Sequence, residues 1–242
     1  MRHGIEVSQI IEHLRQGNIR LAGRFLWGSN YTFLAKVDYG GESLQAVYKP
    51  AKGERPLWDF PHGTLAAREV AAYITAREIG WDFIPPTVLR SEGPAGAGSL
   101  QLYVDADPER HYFTLSDSEK QRLRPVALLD VIMNNADRKG GHVLLGSNDH
   151  IWLIDHGLCF HEEPKLRTVI WDFAGEQVPE GLLDLVHGYR DRLQPGSRLW
   201  HSYCDLLSDS EVAALVGRVD DLLQHRRFPA QAPGRPYPWP LV

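Results

Sequence analysis

Residues 135–157 read NADRKGGHVLLGSNDHIWLIDHG, and the fold turns on this stretch. HVLLG and HIWLI are short apolar runs joined by Gly146-Ser147-Asn148-Asp149, the pattern of a tight β-hairpin. Asp137 stands in the loop before the first strand, and Asp155 stands at the end of the second, just ahead of His156-Gly157. The hairpin brings both carboxylates to the same side. Either aspartate alone is an ordinary turn residue. The ordered pair suits a division of labour in which one carboxylate orients an attacking hydroxyl while the other holds a divalent metal on a polyphosphate.

Upstream, AVYKP (46–50) is a strand on which Val47 and Lys49 share a face while Tyr48 points away. An ammonium on an apolar strand needs a partner, because burying it unpaired is costly. Glu69 lies 20 residues on, in LAAREVAAYITAREIG (65–80). That run is a helix by its density of alanine, with Thr64 placed to cap it and Gly80 to stop it. A strand Lys and a helix Glu form the pair that positions the α/β-phosphates in kinases. Glu78, near the end of the same helix, is the second choice of partner. Gly28-Ser29-Asn30, between the first two strands, is a turn of small residues whose N–H groups can approach phosphate oxygens. It matches no phosphate-loop consensus, and a plain hairpin turn explains it equally well.

The 242 residues are 43% apolar and 24% charged, ordinary for one large or two small soluble domains with a proper core. A net charge of −5 does not suit nonspecific binding to nucleic acid or an anionic membrane. No run reaches the roughly 18–20 apolar residues of a membrane span. The first residues lack a secretory h-region. Two cysteines, Cys159 and Cys204, suit a reducing compartment, so a cytoplasmic location is expected. Residues 1–17 read as a short amphipathic helix with Ile5, Ile10, Ile11 and Leu14 on one side. Strands follow in IRLAGRFLWG, NYTFLAKVDYG, SLQAVYKP, TVLRS and GSLQLYVD, with Gly40-Gly41 as a hairpin turn. Helices are expected within SDSEKQRLRPVALLDVIMNNA and over about 180–193, 196–207 and 209–226. The expected class is α+β with two lobes. Residues 1–103 form a β-rich lobe with one helix, 104–228 a mostly helical lobe carrying the hairpin, and 229–242 a Pro-rich tail. A ligand belongs in the crevice between the lobes. The tail is either a peptide ligand for another domain or a strap on its own.

The order β–Gly loop–β–Lys strand–Glu helix–linker–Asp loop–hairpin–Asp-x-Gly resembles the protein-kinase-like fold. Its local motifs are similar to those of the phosphatidylinositol 3-/4-kinase and HipA branch, where the catalytic loop reads DRHxxN and the metal Asp sits in IDFG. Here they stand as Asp137-Arg138-Lys139-Gly140-Gly141-His142 and Ile154-Asp155-His156-Gly157. The run YKPxxGExPLWDFPxGTLxxRE, matched by Tyr48–Glu69, and the strings DRKGGHxL and DHGLCFH resemble a conserved hypothetical actinobacterial family. That family is distantly similar to phosphatidylinositol 3-/4-kinases, and the resemblance covers nearly the full length.

The resemblance implies an ATP- and metal-dependent phosphotransferase, with Mg²⁺ or Mn²⁺ as the metal. Asp137, with Lys139 beside it, would be catalytic. Lys49 would bind phosphate and Glu69 would hold it, next to the Gly28-Ser29-Asn30 turn. Asp155 and His142 would hold the metal. Gln101, Leu102, Tyr103 and Val104 would be the hinge that reads adenine, with Leu144 and Ile154 lining the base pocket. Two departures from the motifs matter. Lys139 replaces the motif His and adds a cation at the transfer site. His142 replaces the motif Asn, and imidazole suits Mn²⁺ or Zn²⁺ better than Mg²⁺.

Three outcomes stay open: transfer to a protein Ser/Thr or small-metabolite hydroxyl, a nucleotide-binding pseudokinase module, and nucleotidyl transfer with ATP reversed. A rival zinc site would draw on His142, Asp155, His156, Cys159 and His161, although their spacing matches no zinc pattern. Leu57–Pro61 is expected to pack, with a secondary lid role. The segment 158–171 sets Glu162 and Glu163 against Lys165 and Arg167, and so lacks the basic cluster a phosphoinositide headgroup wants. Asp172 and Glu176 read as caps or surface residues.

Overall fold

The computed structural model describes residues 6–25, 30–146, 149–231 and 234–242. Gly28 and Ser29 of the candidate phosphate turn lie outside the described residues, and Asn30 lies within them. Helix α1 (Val7–Gln16) precedes five strands, β1 (Asn18–Phe25), β2 (Thr32–Tyr39), β3 (Glu42–Pro50), β4 (Thr87–Arg90) and β5 (Gly98–Leu102). They form one antiparallel sheet in the order β1-β2-β3-β5-β4. Between β2 and β3, Gly40 and Gly41 take φ of 60° and 84°. A two-residue hairpin turn with both φ positive matches strand twist and favours glycine. The pleat of β3 buries Ala46 and Tyr48 with Ala35, Val37, Val88 and Leu100, against Ile10 and Leu14 of α1. Lys49 is thereby turned to the opposite face.

Helix α2 (Leu65–Ile79) packs on β4 and β5 and also on helices α4 (Arg124–Met133) and α5 (Glu180–Arg192). Being covered by both halves, it is buried nearly all round, from Leu65, Ala66, Arg68 and Glu69 to Ile79. Gly80 stops it with φ 100°. Thr64 occupies the cap position, but its hydroxyl donates to the Pro61 carbonyl at 2.7 Å. Glu54 does the capping instead, accepting from Gly63 N–H at 2.8 Å and Ala66 N–H at 3.2 Å. A carboxylate there also meets the positive end of the helix dipole.

The expected hairpin is present as β7 (Val143–Gly146) and β8 (Ile151–Leu153). It is joined by β6 (Ala106–His111) in a second sheet ordered β6-β7-β8. β6 has no counterpart among the predicted strands. ADPERH shows no apolar alternation and contains Pro108, which only an edge strand tolerates, and most of it is exposed. A short α3 (Asp117–Lys120) precedes α4, while α6 (Arg198–Cys204) and α7 (Asp209–His225) follow α5. The larger core joins Ile79 of α2 to Leu128, Leu129 and Ile132 of α4, Leu183 and Val186 of α5, and Val212 and Leu215 of α7. Each such side chain contributes about 1.5–3 kcal/mol on burial. This shared core is therefore what seats α2 against the helical half. Residues 234–242 run over the surface without helix or strand. Among the described residues no helix is long and apolar enough to cross a membrane.

Candidate functional site

Lys49 projects from β3 into the crevice between sheet and helices, and its ammonium pairs with Glu69 of α2 and, at 3.0 Å, with Asp155 beyond β8. The second Glu69 oxygen accepts the His156 backbone N–H at 3.0 Å. The second Asp155 oxygen lies 3.5 Å from His142 Nε2. The structure thus gathers Glu69, Lys49, Asp155 and His142 into one continuous set. Glu78 instead pairs with Arg192 on the surface at 3.3 Å. Asp155 adopts φ 61°, a left-handed backbone that Asp tolerates better than most residues and that recurs at functional sites.

Two cavities adjoin there. One, about 530 Å³ counting its open mouth, is lined by Lys49, Glu54, Glu69, Asp155 and Asn30. The other is lined by Asp137, Asp155, Asn30, Arg55 and Leu57. Asn30 reaches both because its side-chain oxygen accepts the Arg55 N–H at 2.7 Å. Asp137 and Asp155 therefore share a wall, and Lys139 Nζ lies 3.3 Å from Asp137 Oδ2.

Charge follows from this packing. Burial disfavours the Lys49 ammonium, but Asp155 and Glu69 together outweigh it and hold its pKa above the ordinary value. Burial likewise pushes Glu69 up, and Lys49 with the nearby His156 imidazole more than reverses that, leaving it low. Lys49 holds Asp155 below the usual carboxylate range. The Asp155 side chain is 52% exposed, so solvent screens its pairing, which adds little stability. Asp137 goes the other way: burial raises it to about 6, Lys139 pulls it back, and Asp155 adds to the rise. Burial lowers His142 to about 4, so at neutral pH its imidazole is uncharged, as a metal ligand must be. A half-open carboxylate beside a neutral imidazole fits a divalent ion that takes its remaining ligands from phosphate and water.

Behind the site stands a buried network not anticipated from the sequence. Asp130 of α4 is fully buried and accepts from Arg138 Nε at 3.0 Å, Asn135 Nδ2 at 3.0 Å and Thr168 Oγ1 at 3.1 Å. Arg138 also donates to the Ile154 carbonyl at 3.1 Å and to His156 Nε2 at 2.9 Å. Arginine only donates, so His156 Nε2 is the acceptor and Nδ1 carries the proton, 3.8 Å from Glu69 Oε2 and beyond hydrogen-bond reach. Arg138 thus ties the Asp137 loop to both flanks of Asp155. One signal was available: Asp130 sits inside the apolar run VALLDVIM, where a carboxylate needs a partner.

The expected hinge, residues 101–104, continues from the sheet. Gln101 is held mid-sheet between β3 and β4, with its side chain on Thr87 Oγ1 at 2.9 Å. The Leu102 and Tyr103 amides donate to the Pro86 and Gln45 carbonyls at 2.8 and 3.0 Å, so sheet pairing takes these N–H groups from the hinge. Val104 lies two residues past the end of β5 and is half-buried. Leu144, within β7, and Ile154, just past β8, are half-buried and line neither cavity. The rival zinc set is dispersed. His156 belongs to the Arg138 network, Cys159 is buried, and His161 bonds the Asp59 carbonyl at 2.8 Å. No group of three or more His, Cys, Asp or Glu among the described residues is arranged to hold a metal. In the 57–61 segment, Phe60 packs against Arg68 and His161 and Asp59 pairs with Lys165 at 3.1 Å, while Trp58 stays exposed. Asp172 accepts from the Tyr112 hydroxyl at 2.7 Å and Glu176 pairs with Arg124 at 2.5 Å, both structural contacts.

Over 94% of its length the chain is 40% identical to Protein Rv2133c of Mycobacterium tuberculosis (strain ATCC 25618 / H37Rv), and it spans 93% of that protein. The chain belongs to the Rv2133c family. No protein-family model matches it. A more distant similarity, 31% identity over 60% of this chain, links the Rv2133c-like chain to phosphatidylinositol 4-kinase gamma 4 of Oryza sativa subsp. japonica, of which it spans only 32%. Among solved structures, the Golgi casein kinase with Mn/ADP bound superposes with a TM-score of 0.60 at 15% identity, over 90% of this chain and 75% of that one. The Helicobacter pylori proinflammatory kinase CtkA gives 0.54 at 13% identity, over 89% and 94%. The fold is kinase-like.

Proposed function

We propose that this chain is an ATP- and divalent-metal-dependent phosphotransferase whose acceptor is a protein Ser/Thr or small-metabolite hydroxyl. One observation carries the proposal: Lys49 is shared between Glu69 and Asp155 in the crevice whose adjoining cavity holds Asp137. The structurally similar Golgi casein kinase with Mn/ADP bound supports a nucleotide and a metal ion as ligands of this fold. Glu69 and the α2 frame would keep the Lys49 ammonium on the phosphates, where it neutralises charge without reorganising. Asp155 and His142 would hold Mn²⁺ or Mg²⁺, which supplies further charge neutralisation when bound. Asp137 would accept a hydrogen bond from the acceptor hydroxyl and then its proton. The acceptor oxygen bonds the γ-phosphorus as the bond to the β,γ-bridging oxygen breaks, and ADP leaves. Lys139, 3.3 Å from Asp137, would stabilise the transferring group.

The same Lys139–Asp137 contact favours a second reading, a nucleotide-sensing module, because it occupies the carboxylate an acceptor would need. Labelled ATP separates the outcomes. With Mn²⁺ and Mg²⁺ compared, γ-label in a product that Asp137→Asn no longer forms supports phosphoryl transfer. An α-label in the product would mean nucleotidyl transfer, and no labelled product with intact ATP binding would mean sensing.

A further inference from the structure

The Pro-rich tail touches the candidate site at two points. The Leu241 carbonyl accepts the Gly140 N–H at 2.7 Å, inside the loop that runs from Asp137 to His142. The Pro236 carbonyl accepts both Thr168 N–H at 3.1 Å and the Trp171 indole N–H at 3.2 Å. Thr168 belongs to the strip bridged to Arg138, where Arg138 N–H donates to the Arg167 carbonyl at 3.0 Å and Val169 N–H to the Arg138 carbonyl at 3.1 Å. Gly140 is also pressed by Phe113, since a Cβ there would lie 2.5 Å from its ring and 3.4 Å from the Leu241 carbonyl. The loop is therefore clamped between Phe113, the Arg138 network and the tail.

These tail bonds are made by main-chain carbonyls, while Tyr237, Trp239 and Leu241 keep their side chains exposed. Pro236, Pro238 and Pro240 fix φ and offer no N–H donors, so the segment has less backbone freedom to lose on docking. We propose that residues 235–242 are a positioning strap for the reaction. They hold the Gly140 turn so that Asp137 and His142 face the phosphates together. This rests on the phosphotransferase reading above, and hydrogen exchange tests it separately from activity.

The experiment compares the full chain with a chain cut after Gly234 and with full-length Trp171→Phe, which keeps the ring and removes the indole donor. In the cut chain, Gly140 and Thr168 amides should exchange at least tenfold faster while Ala35 and Val37 in β2 stay unchanged. Turnover should fall at least tenfold with KM for ATP within twofold, and a synthetic peptide of residues 235–242 should restore both readouts. Trp171→Phe should speed Thr168 exchange at least threefold, a check that survives if the cut chain does not fold. Unchanged Gly140 exchange would overturn the strap, as would an equal rise across β2. Absence of turnover in the full chain would defeat the phosphotransferase reading, and the exchange data would still judge the strap.

Discussion

Burial holds the Asp137 proton until about pH 6, and the consequences run in two directions. Between the ordinary carboxylate value and pH 6 the unfolded chain has released a proton that the folded chain keeps. The ionised group therefore works against folding increasingly over that window and by its full amount above it. Asp137→Asn should thus stabilise the protein at pH 7 by about 1 kcal/mol, a melting rise of roughly 2–4 °C, and should lose that gain near pH 4. Turnover in the same variant should fall about 10³-fold, in the range of a lost general base, with ATP binding within twofold. In the wild type, Mn²⁺ on Asp155 would draw the Asp137 titration below its metal-free value of about 6, so kcat/KM of the Mn²⁺-loaded enzyme should fall tenfold per pH unit from a point below 6, read as a pH profile. At this scale Lys49, Glu69, Asp137 and Asp155 were legible because their chemistry shows in residue type and order. Arg138 and His156 were not, because their partners are set by how the Asp137 loop folds over α4. Which amides of the 101–104 segment stay free was not legible, because one strand residue resembles another until sheet pairing assigns the amides.

Helix α2 is fastened to the helical half by Arg68, which is 1% exposed. It ion-pairs with Glu211 of α7 and donates to the Cys159 carbonyl at 2.7 Å. Removing one member of a buried pair leaves an uncompensated charge and costs about 3–5 kcal/mol, whereas replacing both with apolar residues is far milder. Glu211→Ala should therefore lower the melting temperature by about 10 °C, and Arg68→Met with Glu211→Leu should recover at least half of that. A double-mutant cycle by thermal denaturation reads this. A Glu211→Ala cost below about 1 kcal/mol would show that α2 is seated by its apolar contacts alone. The helix itself was plain from composition, with its Gly80 stop. Its true cap, Glu54, was hidden because the polar stretch 51–64 gives no period to read. β6 was hidden by its lack of alternation.

Across the whole molecule, burial makes the metal-free protein acid-sensitive. Burial lowers both His142, to about 4, and His156. As pH falls from about 6.5 toward 4 the unfolded chain takes up two imidazole protons that the folded chain refuses, while at Asp137 alone the folded chain takes up a proton first; two groups outweigh one, so stability declines through that window and is flat above it. Melting curves at pH 7.5, 6 and 5 should show a falling midpoint, and Mn²⁺ with ADP at 100 times Kd should add about 2.7 kcal/mol at pH 7.5. The order of elements across both halves was legible, because alternation, helix stops and the hairpin each left a local mark. The strap was legible only as a choice between two fates, since main-chain carbonyls leave no signature in residue identity. The most direct test is a crystal structure of the chain with a non-hydrolysable ATP analogue and Mn²⁺. The phosphates should lie between Lys49 and Asp155, with Mn²⁺ on Asp155 and His142 and the γ-phosphate turned toward Asp137. An analogue bound outside this crevice, or one with its γ-phosphate directed away from Asp137, would contradict the account.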